Sequence, residues 1–319
     1  MSGQTRPGNA AGAGGSAAAA TEAFVPQLIG IGFPKAGTTF IARRLGEHPN
    51  IRLASRKETH FWERPERDFD VYRNYFEMPD IDSAALKHEW TVGYIYSETA
   101  LQGLATHAPP GTQFLVAFRD PVDAFFSNYN YRRMINHSNL ERKRPPKFFF
   151  ESPDEHSTYV ERYFYDTHYA RFRRFLPDHR AIVIDYACLS AQPDLVFRQL
   201  YQQFGLPYHA GHLQPGRENP SISPKSLLAD RALRKALRMI YGDPGPIYRA
   251  DFRKKPKWVA LLQWLNSERY IYDEQLAERL RDLHAGHLTE FLAMVRRDPN
   301  TVLIDDGSLP AEPEGMAAS

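Results

Sequence analysis

The chain is short of cysteine: Cys188 is the single one among 319 residues. One thiol excludes an internal disulfide framework and fits a reducing compartment. Long hydrophobic runs are missing too; no apolar stretch approaches the roughly 18 residues that suggest a membrane span. Neither sign of charge dominates, since the formal net charge is +2, too mild to imply a nucleic-acid partner. Residues 1–23 are Ala, Gly and polar, without the Leu, Val or Phe core of a signal peptide. A disordered tail and a cytoplasmic location are expected from this. Residues 305–319 read as a second disordered tail, and no internal repeat is found.

Hydrophobic residues (42%) and aromatics (13%) are ample for one packed core, so a single domain over 24–304 is expected. Strands are predicted at 27–32, 50–54, 112–118 and 180–186, with a weaker one inside 88–95. Helices are predicted at 38–48, 98–108, 121–136, 156–175, 192–204, 227–241 and 273–297. This alternation predicts an α/β fold: a central, mostly parallel sheet flanked by helices on both faces, with a P-loop-like first turn. Ligands of such sheets sit at the carboxyl ends of the strands.

The first strand runs into "GIGFPKAGTT", residues 30–39. Gly32 and Gly37 keep the spacing of a phosphate-binding P-loop, but the lysine is Lys35, inside the loop, and Thr38 follows the second glycine. Backbone amides from Ala36 to Thr39, with the Thr38 and Thr39 hydroxyls, can hold a 5′-phosphate at the start of the next helix. An ordinary strand–turn–helix junction is the competing reading. A displaced lysine argues against a β,γ-phosphate chain and suits a group attached to a single 5′-phosphate. "IVID" (182–185) imitates the metal-holding aspartate of NTPases, although an aspartate in that place is commonly a turn or cap.

A second segment, "FLVAFRDPVDAFFSNYNY" (114–131), ends a strand in Arg119-Asp120-Pro121. Asp120 suits an N-cap and Pro121 the first helical position. Arg119 can fork onto a phosphate, and Ser127, two turns on, can donate to the same group. A structural Arg119–Asp120 ion pair with a packing serine is the alternative.

Together "PKAGTT" and the Arg-Asp-Pro segment resemble the 5′-phosphosulfate and 3′-phosphate motifs of the sulfotransferases that use 3′-phosphoadenosine 5′-phosphosulfate (PAPS). The resemblance runs from about 28 to about 228. It implies the sulfotransferase fold and transfer of a sulfuryl group to an acceptor hydroxyl on a carbohydrate or a small-molecule or lipid alcohol. It implies PAPS as co-substrate, with no metal, no nucleic acid and no membrane span. Lys35, Ala36, Gly37, Thr38, Thr39, Arg119 and Ser127 are the implied donor contacts, with Lys35 also stabilising charge during transfer. "SRKETHFWER" (55–64) is similar to the acceptor-base segment of the heparan sulfate branch, which makes Glu58 the implied base and His60 a secondary one. If that stretch is extended, Glu58 and His60 share one side and Lys57 and Thr59 the other.

The sequence departs from that branch at "EWTVGYIY" (89–96): Glu89 and Tyr94 are kept, but Trp90 fills a lysine slot and Val92 a proline slot. The adenine-covering loop is assigned to 214–226, with Gly216 and Arg217; a plain Pro-rich surface loop is the alternative. The basic segment 132–150 is expected to be a flap beside the acceptor pocket, and "FRKKPKW" (252–258) a solvated surface. Two other functions fit parts of the sequence: an ATP-dependent P-loop phosphotransferase, and a non-catalytic module that binds nucleotide or anion.

Overall fold

The structure is a computed structural model that describes residues 23–76, 85–135, 140–208 and 270–307, with isolated positions between 229 and 239. The two expected tails (Ala23 and 305–307 apart), the 214–226 loop with Arg217, most of the 227–241 helix and the 252–258 cluster lie outside the described residues.

Six strands form one sheet: β1 (Leu28–Gly32), β2 (Ile51–Leu53), β3 (Leu86–Trp90), β4 (Gln113–Phe118), β5 (Arg180–Asp185) and β6 (Thr301–Ile304), in the order β2-β3-β1-β4-β5-β6. Every pairing in it is parallel. Its strands alternate sides at each residue, as pleated backbone must. Phe114, Val116 and Phe118 of β4 enter one core, and Leu115 and Ala117 the other. Ala181 and Val183 of β5 oppose Ile182 and Ile184 in the same way. Burial on both faces explains why these strands read as unbroken apolar runs.

Helices α1 (Thr38–Gly46), α9 (Tyr186–Ala191) and α10 (Pro193–Gln203) cover one face through Ile41, Leu45, Leu189, Phe197 and Leu200. Helices α3 (Glu98–His107), α4 (Pro121–Ile135), α8 (Tyr165–Phe175) and α11 (Glu274–Arg297) cover the other through Leu101, Phe125, Phe172 and Phe291. Shorter helices complete the chain order: α2 (Phe69–Asn74), α5 (Leu140–Lys143), α6 (Pro146–Glu151) and α7 (Pro153–Tyr159). The expected α/β class and two-sided cover are thus observed.

Three expectations are corrected. The helix expected over 156–175 is broken into α7, a 3-10 turn (Glu161–Tyr163) and α8. Tyr163 and Tyr165 are both fully buried, and residues two apart cannot share one face of a continuous α-helix. The break at Phe164 turns both inward. The weak strand lies at Leu86–Trp90 and stops where Thr91 N reaches back to Gly30 O at 2.9 Å, after which Tyr94–Tyr96 form a 3-10 turn. The 140–150 part of the expected flap is anchored by packed residues. Glu141 is buried against Arg132 Nε at 2.7 Å and the Tyr159 hydroxyl, and Phe149 sits in the core against Tyr159.

The chain leaves β1 toward β2 and β3 on one side and returns to β4 on the other. This reversal opens a crevice beyond the carboxyl ends of β1 and β4. Gly30 lets the sheet close there: a Cβ on it would fall 2.1 Å from the Trp90 ring. Trp90 is fully buried.

Candidate active site

The 33–37 loop emerges at that crevice. Gly37 is the N-cap residue of α1, in the left-handed region at φ 77°, ψ 10°, and Ile41 N bonds its carbonyl at 3.0 Å. No side chain caps α1, and no acidic residue lies in its first turn. The amides there therefore lack intrahelical acceptors and carry the positive end of the helix dipole. Such a terminus can receive an anion, and Thr38 and Thr39 are its first helical residues.

Cations gather around it. Lys35 is partly buried, with Nζ 3.9 Å from the centroid of the Tyr131 ring. Burial is the main force pushing its pKa from the ordinary 10.5 down to about 7, followed by repulsion from Arg119 and then Lys57. The Arg119 guanidinium lies 4.6 Å over the Tyr186 ring and donates to Asp123 at 2.9 Å, and its Nε is buried without a partner. A Cβ on Gly37 would lie 3.1 Å from that same Tyr186 ring, so one aromatic residue joins the glycine turn to the arginine. The sequence elements around 35 and 119 are thereby brought together. Arg119 is paired with Asp123 and Lys57 with Glu58, yet both still repel Lys35, and an anion beside Lys35 would favour its charged form.

Asp120 caps α4 by accepting from Asp123 N at 2.9 Å, as expected, while the Arg119–Asp120 pair weighed as an alternative is replaced by Arg119–Asp123. Asp123, Ser127 and Tyr131 follow at intervals of four and so share one face of α4. Ser127 is buried on that face, one turn before the tyrosine that receives Lys35. Asp185 caps α9 by accepting from Ala187 N at 2.9 Å. It therefore has the cap role weighed for it, not that of an NTPase aspartate. Among the described residues, no group of three or more His, Cys, Asp or Glu is arranged to hold a metal ion, and no helix is long and apolar enough to cross a membrane.

The stretch around Glu58 does not meet the condition of being extended. Glu58 and His60 have φ values of 63° and 53°. Lys57 Nζ donates to Glu58 Oε1 at 2.7 Å instead of facing away, and His60 Nδ1 lies 2.9 Å from Glu63 Oε2. Thr59, between them, turns inward and is fully buried. Its hydroxyl bonds Glu89 Oε2 at 2.6 Å. Glu58 remains reachable, with 38% of its side chain exposed.

Among described non-glycine residues, only Lys35, Glu58 and His60 have positive φ. Each such backbone costs about 1–3 kcal/mol and persists where the surroundings impose it, a pattern concentrated at functional sites. These three are the residues singled out as catalytic candidates from sequence. Lys57, Tyr131 and Tyr186 were not expected in the site. Tyr131 had a legible signal, four residues after Ser127 on the same helical face. Tyr186 had none, because its place depends on how β5 meets the first loop.

Residues 63–210 match the model of the sulfotransferase family. The matched segment includes Arg119, Ser127, Tyr131 and Tyr186, and begins after Lys35 and Glu58. No curated protein matches the chain. Among solved structures, it is similar to a sulfotransferase from Alicyclobacillus acidocaldarius, at 18% identity and a TM-score of 0.49 over 72% of this chain and 98% of that one. It is also similar to a sulfotransferase domain from the curacin biosynthetic pathway, at 14% identity and a TM-score of 0.40 over 82% of this chain and 98% of that one. The family match thus covers a little under half of the chain, and it contains the Arg119 segment but not the first glycine turn.

Proposed function

We propose that the protein transfers a sulfuryl group from PAPS to an acceptor hydroxyl on a carbohydrate or a small-molecule or lipid alcohol. One observation carries this: Lys35 is repelled by Arg119 and by Lys57 beside a helix N-terminus that no side chain caps. A doubly phosphorylated nucleotide supplies the missing negative charge at two points. The α1 amides with Thr38 and Thr39 hold the 5′-phosphate, and Arg119 with Ser127 holds the 3′-phosphate.

Glu58 takes the acceptor proton as the acceptor oxygen bonds to sulfur. The bond from sulfur to the 5′-phosphate oxygen breaks, that oxygen keeps the electron pair, and Lys35 stabilises the charge growing on it. His60, held by Glu63, is the secondary base candidate. Arg217 joins the donor contacts on sequence grounds.

The ATP-dependent alternative is weakened by Thr38 in the slot of the NTPase lysine and by Asp185 acting as a cap. Thermal shift separates the two. 3′-Phosphoadenosine 5′-phosphate is expected to raise the melting temperature, and ATP with Mg²⁺ to do so far less. The reverse order overturns the proposal, as does failure to transfer labelled sulfate from PAPS across alcohol and carbohydrate acceptors.

A further inference from the structure

The turn that carries Glu58 and His60 is held from beneath by buried hydroxyls. Thr59 donates to Glu89 Oε2 at 2.6 Å and lies 3.0 Å from the Tyr94 hydroxyl. Tyr94 Oη accepts from Phe61 N at 3.0 Å and from Trp62 N at 3.4 Å. It also contacts both Glu89 oxygens, at 3.2 and 3.4 Å. Tyr72 donates to the other Glu89 oxygen, and Thr91 lies 3.4 Å from Oε2. On the near side of the turn, Glu58 N donates to Trp90 O at 3.0 Å.

Glu89 and Thr59 are fully buried, and every side chain shown bonding to Glu89 is a hydroxyl. Burial pushes the Glu89 carboxyl up, and the hydroxyl donors oppose that. A polar knot of this kind is costly where apolar side chains of similar shape would close the core as well. Its members meet the chain at the residue between two left-handed positions and at the two amides just after them. It therefore restrains the turn in a conformation that the backbone alone disfavours.

We propose that Glu89, Tyr94 and Thr59 form a positioning unit that sets the direction of the Glu58 carboxylate toward the acceptor. None of the three touches the reacting atoms; they act through the turn. This rests on the reading of Glu58 as the base.

The test compares Thr59→Val, which keeps shape and loses the hydroxyl, with Thr59→Ser, which keeps the hydroxyl. Tyr94→Phe serves as a second probe should the valine variant fold poorly. The valine variant is expected to lower kcat by about 10-fold or more, with 3′-phosphoadenosine 5′-phosphate affinity within about twofold of wild type. The serine variant is expected to stay within about threefold of wild-type kcat. In a Glu58→Gln background, Thr59→Val should cost nothing further, because both act through one group. Amide exchange across 55–64 should speed up in the valine variant and not in the serine variant. Wild-type kcat in the valine variant, equal losses in both variants, or losses that multiply in the double variant overturn the proposal. If the wild-type protein transfers nothing from PAPS, the donor reading fails by itself. Exchange then decides the positioning unit, and unchanged protection in the valine variant refutes it.

Discussion

Lys35 offers a test in which sign and size both follow from the site. Its pKa is about 7 in place of the ordinary 10.5, because the ammonium is desolvated and faces Arg119 and Lys57. Above neutrality the empty site therefore holds this lysine mostly uncharged. A bound phosphate favours the charged form, so binding must take up a proton, and affinity must fall as pH rises. If bound 3′-phosphoadenosine 5′-phosphate returns Lys35 to its ordinary value, affinity drops roughly 50-fold between pH 7 and pH 9, about 2.3 kcal/mol. Working above pH 7 keeps the phosphates, with a second pKa of about 6, out of the comparison.

Titration calorimetry at pH 8 in two buffers of different ionisation enthalpy should report uptake of roughly 0.9 proton per nucleotide. Lys35→Met should bind more weakly and show no such slope. The stability of the empty protein has the opposite pH dependence. The lowered pKa penalises the folded state fully below about 7, and the penalty is relieved as pH rises toward 10.5. A flat affinity profile in the wild type, or the same slope in Lys35→Met, refutes the argument.

Glu58→Gln should lower turnover by roughly 10²-fold or more and leave nucleotide affinity nearly unchanged, as steady-state kinetics beside calorimetry would show. Near-normal turnover removes Glu58 as the base. Arg119→Ala should weaken 3′-phosphoadenosine 5′-phosphate by about 2 kcal/mol while adenosine 5′-phosphate is affected far less, read by calorimetry on both nucleotides. Equal losses on the two would detach Arg119 from the 3′-phosphate. Gly30→Ala should destabilise the fold by about 1–3 kcal/mol in denaturant unfolding, since the added methyl meets the buried Trp90 ring. A neutral result would show that the ring can move aside.

Strand β4 and the Asp120 cap were readable because their causes are local. An apolar run buried on both faces, or an aspartate beside a proline, carries its signal within a few residues. The acceptor turn shows where such reading stops. Side-chain alternation was stated only for the case that 55–64 is extended; Glu58 and His60 instead take positive φ on either side of Thr59, whose partner Glu89 lies thirty residues on. Within the flap expected at 132–150, Glu141 is anchored against Arg132 and Tyr159, a burial that a basic composition hides.

The amino-acid order by itself determined the parallel α/β class, the glycine turn ahead of α1, and Lys35, Arg119 and Ser127 as candidates, while Glu58 and His60 were named by resemblance to a known family. Periodicity, capping and motif spacing act over one or two turns of chain, so they can be read in one dimension. Only the tertiary structure decided that Lys35 and Arg119 share one electrostatic field, that Tyr131 receives the lysine, that Tyr186 links the two motifs, and that Thr59 hangs from Glu89. Each of these depends on which strand ends lie side by side at the reversal of the sheet, and strand order is set by long-range packing that no short window of sequence contains.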